Sequence, residues 1–182
     1  WGLSPRVLAQ RNVDREVVAG LGPLKEIYRD QMVYAGALVK TFLESYVESD
    51  KFTASNEADG KAHELYGLTD LVVKATRVYA GAWVFDRESR HDDGLFEVVP
   101  FVGKLDWASK AIVALDGNPV TDEDLAQIGV EHSKLFRAAT LAITLTPEGK
   151  VPVHAQMDGE EFPLAARVEI DVAKGALRLI VP

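Results

Sequence analysis

Cysteine is absent from the 182 residues, which excludes a disulfide framework and any thiolate metal centre and agrees with a reducing cytoplasm. Clustered positive charge is also missing. The formal net charge is -8 and no block of lysine or arginine occurs. Phosphate backbones are bound largely through such blocks, so nucleic acid is not expected as a partner. No apolar run approaches the roughly 20 residues that a membrane-spanning helix needs, and no secretory signal pattern opens the chain. The glycine signatures G-x-x-x-x-G-K-[ST] and G-x-G-x-x-G do not occur, so a P-loop or dinucleotide fold is not encoded. A nucleophile elbow is lacking as well, which leaves a serine triad without support. His63, His91, His132 and His154 are scattered without H-x-x-x-H spacing, and a histidine metal centre is not expected.

What is present is enough apolar sequence for a real core, at 47%, arranged in two kinds of period. Around Pro5 to Gln10 a short helix or strand is expected, followed by a polar link, RNVDRE. From Pro23 to about residue 47, Leu24, Ile27, Tyr28, Met32, Ala35, Leu38, Val39, Phe42 and Tyr46 recur at three- and four-residue steps. They form one apolar helical stripe, and Pro23 suits a first helical position. From Lys51 the period changes. KFTASNEADG is expected as a strand closing on an Asp59-Gly60 turn with AHELYGL as its partner. DLVVKATRVYA (70–80) is β-branched and suits a buried strand, and LFEVVPFVG (95–103) another. LDWASKAIVAL predicts a helix of about three turns with Asp106 as N-cap. TDEDLAQIGV carries a capping-box start at Thr121 and predicts a second short helix.

The last part of the chain alternates. FRAATLAITL, VPVHAQMD, RVEIDV and ALRLIVP predict four strands with short links, an antiparallel meander with one buried face. The expected fold class is therefore mainly β with α (α+β). It is an antiparallel β-sandwich or bent sheet carrying one long helix and two short ones, in a single domain over 1–182.

Two acidic stretches stand out. In VHAQMDGEEF a clean strand ends in Asp158, Glu160 and Glu161 around Gly159. An Asp-Gly hairpin turn with solvated charges accounts for them without chemistry. A carboxylate held at a strand end can also act as a general base or hold a hard cation, and clustered acids raise one another's proton affinity. In His91-Asp92-Asp93-Gly94, two acids before a glycine suit either a solvated turn or a cation loop. Tyr79, Trp83, Phe85 and Phe96 flank this loop, and core packing is their default role.

The order of these pieces resembles a known family. DLVVKATRVYAGAWVFDRESRHDDGLFEVVPF is similar to the segment of diacylglycerol kinase-like lipid kinases in which a strand, a small-residue stretch and an acidic loop lead into a D-G-L-[LF]-[DE]-V strand. VHAQMDGEEFPLAARVEIDVAKGALRLIVP resembles that family's close, where a strand delivers D-G-E and the chain ends in A-L-x-[VL]-[LI]-V-P. Together these cover about the last 115 residues. The family includes sphingosine kinases and bacterial lipid kinases.

The resemblance implies a two-lobed enzyme whose N-terminal lobe binds ATP through G-G-D-G-T. That motif is absent here, so the chain matches the C-terminal, lipid-binding lobe. The start at Trp1 rather than methionine fits a piece of a longer protein. Carried over by position, Asp158 matches the base that takes the lipid hydroxyl proton and Glu160 the nearby acid needed for activity. Asp93, with the carbonyl of Leu95, matches a structural Mg²⁺ site. The family more often has Asn-Asp-Gly where this chain has Asp92-Asp93-Gly94.

The implied function is that of the C-terminal domain of an ATP- and Mg²⁺-dependent lipid kinase. Such a domain would phosphorylate a hydroxyl of a diacylglycerol-like lipid in the cytoplasm, peripherally at the inner membrane surface. Its partners would be the lipid, the ATP-binding lobe and, in one arrangement, a second copy in a homodimer. The isolated chain is expected to be inactive. The alternative is a non-catalytic β-rich module that binds lipid or protein.

Overall fold

The computed structural model describes residues 1–19, 51–79, 84–86, 88–103, 105–107, 110, 126–127, 129, 134–163 and 165–176. The helix expected at 23–47, most of the one expected at 121–130 and all but the first residue of the strand expected at 176–182 lie outside the described residues. The described part is an antiparallel sheet with a helix against it, the α+β class expected.

The first element is α1, Leu3–Ala19. Leu3, Val7 and Leu8 are buried and fall on one face at helical spacing. The polar segment RNVDRE, expected as a link, is part of this helix. Nothing between Arg6 and Ala19 is a glycine or proline, and arginine and glutamate are good helix formers. Once the first turn is anchored, the polar residues propagate it.

Strand β1, Phe52–Ala58, buries every second residue. It pairs antiparallel with β2, Lys61–Lys74, and Ala58 opposite Lys61 closes a two-residue loop. Asp59 and Gly60 have φ of 48° and 75°, the doubly positive pattern of a type I′ hairpin, which matches strand twist. The sequence suggested two strands between residues 61 and 80. They are one strand, kinked at Gly67, whose φ is 63°. The β1–β2 register slips between Leu65 and Leu68, across it, which marks a bulge.

Beyond that kink β2 is buried on both faces, from Leu68 to Val72. Strand β3, Phe96–Val102, pairs with it. Leu71, Phe96 and Val98 join one apolar cluster with Phe52 and Ile143. Val72, Val99 and Phe101 join another with Leu3, Phe85 and Trp107. The alternation of side chains thus places the two clusters on opposite faces of the β2–β3 pair.

FRAATLAITL, expected as one strand, is divided at Ala139 into β4, Phe136–Ala138, and β5, Thr140–Pro147. β4 pairs with β3, and β5 pairs with β1 along its whole length. The sheet order is β4-β3-β2-β1-β5-β8, where β8 is Arg167–Asp171. Since one residue joins β4 to β5, the strand bordering β3 also borders β1, and the sheet curls back on itself. Asp59 holds this corner. Its carboxylate accepts the amides of Ala139 and Thr140 and the Thr140 hydroxyl.

The expected four-strand meander is only partly formed. β8 does lie beside β5. The VPVHAQMD strand is reduced to β6, Ala155–Met157, which leaves the main sheet and pairs with β7, Glu160–Phe162. Before it, the His154 carbonyl accepts from the amide of Gly2 at 2.9 Å instead of from a ladder. The helix expected over LDWASKAIVAL begins earlier, at Gly103, and is helical at 105–107 and 110 among the described residues. Asp106 lies inside its first turn rather than at the N-cap, and its carboxylate reaches back to the Val102 amide at 2.7 Å.

Candidate functional site

The β6–β7 hairpin turns through Asp158 and Gly159, with φ of 51° and 85° and Met157 opposite Glu160. This is again a type I′ geometry, which favours Asp-Gly. Alternation then sorts the acids. Gln156 and Glu161 face each other on one side, and Met157 and Glu160 on the other. Glu161 is tied to α1, accepting a 2.7 Å bond from the Asn12 side-chain amide. Gln156 donates to the Tyr79 hydroxyl at 3.3 Å. Asp158 and Glu160 are exposed, and neither makes a side-chain hydrogen bond or ion pair with a described residue. Met157 beside them is 56% exposed.

His154 leads into this hairpin and is half-buried. Burial holds its pKa below the ordinary 6.5; Arg6 adds to the shift and Glu161 partly opposes it. A neutral imidazole therefore backs the acidic hairpin near neutral pH.

The acidic loop is built differently. The Leu95 amide donates to Asp93 Oδ1 at 2.9 Å, so the two residues expected to hold Mg²⁺ do lie together. The Asp93 carbonyl accepts from Lys174 Nζ at 3.2 Å. Asp92 is gripped by Arg90 through Nε at 3.0 Å and Nη2 at 3.2 Å. That contact holds the Asp92 carboxyl below the usual range. Mg²⁺ demands a near-ideal octahedron of oxygens. Among the described residues no group of three or more histidines or acids could hold a metal. Arg90 thus engages the Asp92 carboxylate, and the Leu95 amide takes one oxygen of Asp93; no chemistry is routed through the ion.

Three ionic groups carry no prominence in the sequence, the buried Asp70, the buried Lys74–Glu97 pair and a partly exposed cluster around Arg137. Asp70 lies inside the apolar run TDLVV and is fully buried. It accepts from the Ser4 amide at 3.0 Å, from the Ser4 hydroxyl and from the Trp107 indole at 3.1 Å. A carboxylate from β2 thus caps the first turn of α1, where helix amides lack partners. Burial raises the Asp70 pKa, against the pull of the hydrogen bonds from Ser4 and Trp107. Lys74 and Glu97 are cross-strand partners at 3.1 Å, both buried. Arg137 pairs with Asp86 and with Glu88 at 3.5 Å, and stands 3.8 Å from Glu97. The available signal was a charge in the middle of a β-branched run, which a buried strand tolerates only when it is paired.

These features define a curled antiparallel α+β domain that presents an acidic hairpin next to a capped helix. Comparison with solved structures places that fold. The crystal structure of a "putative diacylglycerol kinase" from Bacillus anthracis str. Sterne matches with a TM-score of 0.51 at 16% identity, over 74% of this chain and 43% of that one. Another structure of a "putative diacylglycerol kinase" from the same organism covers 90% of this chain and 46% of its own at 18% identity, with a TM-score of 0.49. The resemblance expected from the two motifs is borne out in the fold. The chain spans less than half the length of the structures it matches. No family model matches the sequence, and no curated protein does. Among the described residues no helix is long and apolar enough to cross a membrane.

Proposed function

We propose that residues 1–182 act as the C-terminal lobe of an ATP-dependent lipid kinase, with Asp158 as the base. In this reading the hydroxyl oxygen of a diacylglycerol-like lipid attacks the γ-phosphorus of ATP. Its proton passes to the Asp158 carboxylate, and ADP leaves. Phosphoryl transfer asks chiefly for an oriented nucleophile and neutralised charge. Asp158 would orient and deprotonate the hydroxyl, and Glu160 would help set the charge around it. The phosphate donor, and the ion that travels with it, belong to the ATP-binding lobe. The lipid would be reached at the cytoplasmic face of a membrane.

One observation carries this reading. Two Asp-Gly turns share a geometry, but the fold uses the carboxylate of Asp59 and leaves that of Asp158 without a partner among the described residues. A turn residue with no structural duty, at the tip of a hairpin braced by α1, is available for chemistry.

The test is Asp158→Asn in the two-lobed protein. Asparagine tolerates positive φ, so the turn survives. We expect kcat to fall by at least about 100-fold, the usual contribution of a general base, with an unchanged melting temperature. Near-normal turnover removes Asp158 from the mechanism.

A further inference from the structure

We propose that Lys174 is a built-in cation for the acidic loop, closing the Asp92–Asp93–Gly94 turn so that its order does not depend on a divalent ion. Lys174 sits in the turn after β8, far from the loop in sequence, yet its Nζ donates to the Asp93 carbonyl at 3.2 Å. Its stem lies flat on Gly94: a Cβ at that position would stand 2.8 Å from Lys174 Cδ and 3.3 Å from Cγ. With a φ of +80° as well, Gly94 suits the backbone at this position and leaves room for the lysine stem. Two cations serve the loop: Arg90 pairs with the Asp92 carboxylate, and the exposed Lys174 reaches the Asp93 backbone. Arg90 binds Asp92 through two nitrogens, and Lys174 takes the carbonyl oxygen. An ammonium needs only a few acceptors and no octahedral shell. The contact also ties the loop before β3 to the end of β8, on the opposite side of the strand order.

Amide hydrogen exchange at residues 93–95 of the 182-residue chain tests this at constant ionic strength. In the wild type, millimolar MgCl₂ should leave those rates equal to those in matched NaCl. Lys174→Ala should speed exchange at the Leu95 amide about three- to tenfold, the loss of one modest hydrogen bond from a locally opening loop, while Lys174→Arg should stay close to wild type. Two results overturn the proposal: Mg²⁺ protecting the wild-type loop in a manner abolished by Asp93→Asn, or Lys174→Ala exchanging like wild type. The readout is loop order, so it stands apart from any kinase activity.

Discussion

Asp59 and Asp158 occupy the first position of the same kind of turn, and what separates them is where their oxygens go. Asp59 accepts from two amides and a hydroxyl at the corner between β4 and β5. Those bonds, first the Thr140 amide, hold its pKa below the model-peptide value of 3.8. A carboxyl with a depressed folded-state pKa stabilises the fold above its unfolded value, and that contribution is lost as pH falls through the folded value. Asp59→Asn keeps the turn but removes the charge. It should lower the melting temperature near neutral pH, and the gap to wild type should close in strong acid, as a pH series of thermal melts will reveal. The Lys74–Glu97 pair answers to a different rule. Glu97 is fully buried with Arg137 no nearer than 3.8 Å, so Lys74→Met strands a carboxylate. A loss of about 3–5 kcal/mol in urea unfolding is expected, largely recovered in the apolar double variant Lys74→Met/Glu97→Leu. Asp70, Lys74 and Glu97 were visible as letters but not as partners, because a pairing between strands depends on a register that the sequence does not state.

At the scale of elements, α1 is held by its first turn. Gly2 has a φ of +104° and bridges Asp70, and a Cβ there would lie 2.4 Å from the Thr69 carbonyl. Asp70 in turn caps the Ser4 amide. Gly2→Ala should therefore loosen α1 from β2 and from the β6–β7 hairpin. Adding backbone strain to overpacking, the penalty is on the order of 3 kcal/mol. Chemical denaturation gives its size, and faster amide exchange along α1 gives its location; unchanged values for both would mean that the bridge does not hold the helix. The strands were largely legible: β5 and β8 lie in stretches that alternate, and β1 and β3 lie in the runs expected as strands. Less legible was the continuity of β2 through Gly67, since a glycine before a buried run marks a bulge as readily as a strand end. The reach of α1 was hidden for the opposite reason, its last half having no apolar stripe to announce it.

For the whole molecule, the curled sheet matters because it sets the β6–β7 hairpin apart. The main sheet takes β1–β5 and β8, and the hairpin rests against α1 as a separate pair. In the lobe reading that hairpin faces a partner carrying the phosphate donor. The purified 182-residue chain should then show no ATP-dependent phosphorylation of diacylglycerol in mixed micelles, and activity should appear only when the ATP-binding lobe is present. Turnover by this chain alone would end the two-lobe account.

The sequence by itself determined the class of fold, the positions of most strands, the two Asp-Gly turns and the acidic character of the hairpin, because hydrophobic period and turn chemistry are local. Only the tertiary structure decided that one strand serves two neighbours, that Asp70 caps a helix from a distant strand, and that Lys174 reaches the Asp93 carbonyl from beyond β8. Each of those joins residues far apart along the chain, and the energy that selects such contacts, burial and the satisfaction of polar groups, exists only once the sheet has closed.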